Sequence, residues 1–175
     1  SGIGSWPEDW WRTAQVTIMQ LWDEAPEMSQ RVAGIGVSGR GGGFAVLDRE
    51  GKALIASWTD GRQSSNWPNL SVQLNHRLRL PSSRSLAYIA RLAWIKEHEP
   101  GVYRQVSNVM GVKDYILLKL TRQLYTDPSS GPGEEEWQEN LFGLIDYPTS
   151  NMPPVRPHTS IVGALTSEAA ERLGL

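Results

Sequence analysis

Apolar and polar positions along the 175 residues follow two periods, and the change from one to the other marks out the elements. Ser5-Trp6-Pro7-Glu8 has the Ser-x-x-Glu form of a capping box, and Pro7, Glu8 and Asp9 suit a first helical turn. Trp11, Ala14, Ile18, Leu21 and Ala25 then recur at helical spacing, which predicts a helix with one stripe against a core, ended by Pro26. From Val32 the period shortens. The runs Val32 to Val37, Phe44 to Leu47 and Ala53 to Ser57 read as three strands, joined by a glycine corner and by the turn Asp48-Arg49-Glu50-Gly51. Gln63 to Pro81 is polar and irregular, a long loop of the kind that is functional or mobile.

Ser83 to Glu97 predicts a second helix. Only Arg91 interrupts its apolar run from Leu86 to Ile95, so it is buried on most sides. Arg91 must then reach a carboxylate, a carbonyl or a wet cleft, or snorkel at the helix edge. Pro100 to Val106 reads as a short helix, and Lys113-Asp114-Tyr115 opens a further buried one through Leu120. Leu124 to Thr126 predicts a short strand, Asp127 to Glu136 a loop and Trp137 to Leu144 a short amphipathic helix. A proline-rich connection, Pro148 to Pro157, and the short apolar run Ile161 to Leu165 lead to a last helix, Ser167 to Leu173.

Composition removes several function classes. A net charge of −2 with no basic stripe argues against nucleic acid as a partner. The absence of cysteine excludes disulfide scaffolds and thiolate metal sites. No apolar run approaches the roughly 20 residues that span a bilayer and no signal peptide opens the chain, so a soluble, cytoplasmic protein without a membrane partner is expected. His76, His98 and His158 lie far apart without metal-ligand spacing, and no metal site is predicted. No nucleophile elbow, GKS/GKT phosphate loop or dinucleotide fingerprint occurs. Eight tryptophans suit core packing and sugar-stacking surfaces alike.

Two places carry candidate chemistry. In Ser38-Gly39-Arg40-Gly41-Gly42-Gly43, three successive positions without side chains fit either a tight inter-strand turn or a close backbone approach to a ligand beside the planar fork of Arg40. Asp60 and Arg62, two apart after an apolar strand, share a face, where they form a structural ion pair or hydrogen-bond a polyol.

The order WPEDWW, GIGVSGRGGGFAVLDREGKAL, WTDGR, RLAWIKEHEPGVYRQV, VKDYILLKLTRQLYTDPSSG and IVGALTSEAAERLGL resembles the N-terminal domain of the FGGY carbohydrate kinases, and the resemblance covers nearly the whole chain. It implies an α/β, ribonuclease H-like/actin-like ATPase domain, a mixed sheet flanked by helices. The first strands, with their Asp-x-Gly-Thr-Ser phosphate loop, would be missing. Residues 1–175 would be a partial substrate domain, with the ATP-binding domain and the catalytic aspartate lying beyond Leu175. The implied activity moves the γ-phosphoryl group of ATP, with Mg2+, to a hydroxyl of a sugar, ketose or polyol. Neither cofactor is expected on this portion alone.

The family's sugar-contacting loop falls on Gly39 to Gly43. Arg40 stands where xylulokinases carry a glutamine, and Gly41 and Gly42 stand where relatives carry contacting side chains. Trp58, Asp60 and Arg62 match the family's W-x-D-x-R at the cleft edge, and Arg91 replaces its usual lysine. The implied substrate-binding residues are therefore Arg40, Gly41, Gly42, Trp58, Asp60 and Arg62, with no catalytic residue in the chain. The alternative is a non-catalytic sugar-binding or regulatory module of the same fold. An unpaired sheet edge predicts self-association, and a homodimer is a further expectation.

Overall fold

The computed structural model describes residues 5–40, 43–57, 83–129 and 142–175. Its centre is a pair of short strands, β1 (Phe44–Leu47) and β2 (Asn108–Gly111). They run antiparallel with Phe44 opposite Gly111, Ala45 opposite Met110, Val46 opposite Val109 and Leu47 opposite Asn108. All four residues of β1 are buried, which is why the strand reads as a continuous apolar run instead of an alternating one. The pleat sends its side chains to two cores. Phe44, Val46 and Val109 meet Tyr88, Ile89, Leu92 and Ile95 of α2 (Ser83–His98), while Ala45, Leu47 and Met110 meet Tyr115 and Leu118 on the other face.

That second face is closed by α1 (Pro7–Glu24) and α4 (Val112–Thr121), with a single turn, α3 (Pro100–Tyr103), preceding β2. A last helix, α5 (Ser167–Leu173), packs on α1 and α4. Trp22 fastens it by donating its Nε1 hydrogen to the Leu173 carbonyl at 2.5 Å. The Thr166 hydroxyl caps it by accepting from the Ala169 amide at 3.1 Å. The result is a sheet with helices on both faces. Among the described residues the sheet is this antiparallel pair, and the predicted parallel component is reduced to an isolated parallel bridge between Thr126 and Val155.

The turn after β1 forms as predicted. Gly51 takes a φ of 78°, and Asp48 accepts from the amides of Glu50 and Lys52 at 3.0 and 2.8 Å. Other expectations are corrected. Ser5 does not cap α1; its backbone bridges Ser57 and its hydroxyl accepts from Trp10 Nε1, while Glu8 turns inward to Tyr115 and the Ala53 amide. The inward stripe of α1 runs through Trp11, Ala14, Ile18 and Trp22, leaving Leu21 51% exposed, because the helix is rotated to present Trp22 to Leu173. Ala53 to Ser57 contributes two isolated bridges, at Ala53 and Ser57, instead of a strand, and Leu124 to Thr126 contributes only Thr126. Val32 to Val37 is not a strand: among the described residues neither it nor the apolar run Ile161 to Leu165 has a ladder partner. They line a cavity of about 770 Å³ together with the first residues of α4. The predicted loop at Gln63–Pro81 lies outside the described residues, as does nearly all of the helix predicted from Trp137.

Two substitutions separate the buried face from the exposed one. Ile89→Ala, at a fully buried position against β1, should cost about 2–5 kcal/mol in urea unfolding. Leu21→Ala, despite its place in the sequence-predicted stripe, should stay within about 0.5 kcal/mol. Equal losses at both sites would contradict the observed rotation of α1.

Candidate functional site

The site is built on the junction where β2 runs into α4. Gly111 precedes the helix and Asp114 occupies its third position, so the carboxylate reaches back to the Gly111 amide at 3.3 Å. Asp114 has no exposed surface. A buried carboxylate is expensive unless donors surround it, and here Lys113 Nζ donates at 2.7 Å and the Thr126 hydroxyl at 2.9 Å. Lys113 also donates to Asp127 at 2.5 Å, and Asp127 accepts in turn from the Ser129 amide and hydroxyl. Burial opposes the charge on Lys113, but its hydrogen bonds and the attraction of both carboxylates win and raise its pKa. Burial likewise opposes ionisation of Asp127, and its bonds to Lys113 and Ser129 outweigh this and lower its pKa.

The glycine corner is clamped onto this junction at both ends. A Cβ at Gly39 would lie 2.9 Å from the backbone nitrogen of Lys113, and one at Gly43 would lie 2.5 Å from Cγ2 of Val112. Both ends of the loop therefore approach α4 more closely than any side chain permits. On the opposite side the Tyr88 hydroxyl donates to the Gly43 carbonyl at 2.9 Å, and the Tyr88 ring meets Phe44 edge-on at 6.2 Å. Arg40 is exposed on the loop between the two clamps.

Of the six predicted substrate-binding residues, only Arg40 is described. Gly41, Gly42, Trp58, Asp60 and Arg62 lie outside the described residues. Arg91 does not snorkel: it is 6% exposed, with its guanidinium 4.9 Å from the centre of the Phe44 ring. Its pKa is lowered, first by burial and also by the charge of Arg40, with Tyr88 acting in the other direction. Arg91 therefore lies against the residue that directly follows the glycine corner. The supporting roles of Gly39, Gly43, Tyr88 and Lys113 were not assigned from sequence. Lys113-Asp114 was visible there as a helix start and as part of the family resemblance, without a role.

The described residues thus set a glycine loop, clamped at both ends, at the end of a small sheet with helices on both faces. The chain matches the FGGY family of carbohydrate kinases, N-terminal domain, over residues 5–175, and it belongs to that family. It is 27% identical to the xylulose kinase of Escherichia coli K12 over 97% of its length and 28% identical to that of Lactococcus lactis over the same share. It spans 37% and 36% of those proteins. The crystal structure of xylulose kinase from Rhodospirillum rubrum superposes with a TM-score of 0.85 at 29% identity, over 98% of this chain and 38% of that one. The fold is accordingly the actin-like ATPase fold of these kinases.

The clamps are testable against internal controls. Gly39→Ala must displace backbone and should cost about 1–3 kcal/mol, with Gly43→Ala similar because a valine methyl yields little. Gly34→Ala and Gly36→Ala meet nothing within 4 Å and should be neutral or stabilising by up to about 1 kcal/mol. Thermal melts of the four variants that ranked the two pairs together would refute the clamp.

The ion cluster makes a separate prediction in pH. The lowered pKa of Asp127 gives stability that is complete above its ordinary value of 3.8 and lost as pH falls through the folded value. The raised pKa of Lys113 gives stability that is complete below 10.5 and lost as pH rises through the folded value. Lys113→Met leaves Asp114 buried without its ammonium partner and should cost about 3–5 kcal/mol near neutrality. In urea titrations across pH, that difference from the parent should shrink on both the acid and the alkaline side.

Proposed function

We propose that this chain is the acceptor-binding part of an ATP-dependent carbohydrate kinase, which transfers a phosphoryl group to a hydroxyl of a sugar, ketose or polyol. The clamped corner supports the reading most directly. A loop pinned at Gly39 and Gly43 holds Arg40 in a fixed place at the end of β1, and positioning dominates catalysis of phosphoryl transfer. The named relatives are xylulose kinases, which makes a five-carbon ketose a reasonable first acceptor to test.

In this reading the chain's own residues bind and orient. Arg40 donates from its fork to acceptor oxygens, and Trp58, Asp60 and Arg62 are proposed to complete the contact. Tyr88 and the α4 junction hold the two ends of the loop, Gly39 and Gly43. ATP supplies the phosphoryl group. Among the described residues no group of three or more His, Cys, Asp or Glu side chains is placed to hold a metal ion. Among the same residues no helix is long and apolar enough to cross a membrane.

The test is acceptor-dependent ADP release by the full-length protein that carries this chain, measured across pentuloses, hexuloses, alditols and sugar acids. At least one acceptor should raise the rate well above the acceptor-free background. Background rates with every acceptor, from a protein that still melts cooperatively, would remove the kinase reading.

A further inference from the structure

We infer that the groove between residues 32–37 and 161–165 is a strand-docking site. Its occupant in the full-length protein is an extended apolar segment of the same polypeptide, following Leu175 and pairing with residues 32–37. The two segments line one cavity of about 770 Å³ together with Leu117 and Leu120 of α4. Neither segment carries a polar side chain, and neither contains a helix or a turn. Val32 leaves the 3-10 turn Pro26–Arg31 in the extended region, at φ −69° and ψ 113°. An uninterrupted apolar run of this length is the pattern of a strand buried on both faces in an α/β sheet. Among the described residues, however, neither segment makes a backbone hydrogen bond. Their apolar side chains also stand open: Val32 and Ile35 are exposed, and Ile161 is 95% exposed.

The backbone decides the kind of occupant. A small apolar ligand would cover these side chains but leave a row of amides and carbonyls dry and unpaired, which is costly. An extended peptide covers the side chains and pairs the backbone at once, as in strand addition to an open sheet edge. Its own groove-facing side chains must be apolar, because neither segment offers them a polar partner. Lengths and directions decide the source. The chain spans 36–37% of its xylulose kinase relatives, so a protein of their size has most of its polypeptide to place around these residues. Gly174 closes α5 in the left-handed region, at φ 67°, and Leu175 itself lines the groove. A segment following Leu175 therefore starts at the groove. Ser5 is held elsewhere, by Ser57, and does not line it. A segment tethered this closely competes at high effective concentration against a second copy or a foreign strand.

Hydrogen exchange on the full-length protein that carries this chain tests the pairing. Amides on the paired edge of residues 32–37 should exchange at least about a hundredfold more slowly than in a free peptide. A single proline in the first apolar run after Leu175 should move them at least about tenfold back toward the free rate, while the amides of β1 and α4 keep theirs. A proline placed ahead of Ser5 should leave residues 32–37 unchanged. A second measurement does not depend on a proline variant folding. Residues 1–175 contain no cysteine, so Ile35→Cys can be combined with cysteines introduced singly along that run. One of these pairs should form an intramolecular disulfide, because paired strands bring Cα atoms within bridging range. Free exchange of residues 32–37 in the full-length protein would overturn the inference. So would protection removed only by the prolines ahead of Ser5, protection that disappears on dilution, or the absence of a cross-link at every position.

Discussion

The Asp114 carboxylate, fully withdrawn from solvent, is the point on which the arrangement of the site turns. Removing such a charge from water costs several kcal/mol, and the cost is met only if donors arrive from fixed directions. They come from the end of β2 through the Gly111 amide, from α4 through Lys113, and from the segment that bridges Val155 through Thr126. Moving any of these pieces would strand a buried charge. The ammonium of Lys113 gains a second carboxylate in Asp127, so the cluster extends into the loop that follows. Stability and the shape of the site are thus tied to the same few atoms.

Strand register carries that constraint to the glycine corner. Phe44, the first residue of β1, lies opposite Gly111, the last of β2. The corner therefore starts and ends at the same end of the sheet as the ion cluster, with Gly39 against Lys113 and Gly43 against Val112. The double core matters here too. With Phe44 and Val46 packed on α2, and Ala45 and Leu47 on the α1 and α4 side, β1 cannot shift register without exchanging the contents of the two cores. Gly39 and Gly43 are required by packing, whereas the residues between them are left to make contacts.

Much of this was legible in the sequence wherever local chemistry decides. The buried run Phe44–Leu47, the Asp48–Gly51 turn and the helices around Arg91 and Tyr115 follow from periodicity and turn residues. Expectations failed where a distant partner decides. Ser5 is chemically able to cap a helix, yet its backbone pairs with Ser57 and Glu8 finds Tyr115, contacts across about fifty and about a hundred residues that no local window contains. Leu21 fits the helical spacing as well as Trp22 does; the tie is broken by a carbonyl at Leu173. Val32–Val37 has strand composition, but a strand is a property of a pair, and among the described residues it has no ladder partner. Within the site, spacing revealed the glycine corner but not its clamps, because a close approach depends on what lies opposite.

Arg91 shows how a residue that breaks a pattern acquires its meaning from packing. On the sequence it is the one charge in an apolar helix face, and such a charge ordinarily escapes to the helix edge. Here Tyr88, Arg91, Leu92 and Ile95 share the side of α2 that faces the sheet, so escape would require turning the helix and exposing its core residues. The guanidinium instead lies against the Phe44 ring, where its weak hydration and flat shape lower the cost of burial. A lysine ammonium, compact and strongly hydrated, would be held there less well. The helix thereby keeps a permanent positive charge beneath the strand end at which the glycine corner opens. Such a charge reaches further than the same charge on the surface, because less water intervenes to screen it. Packing thus fixes both the place of the corner and the place of the one buried charge in the apolar face of α2.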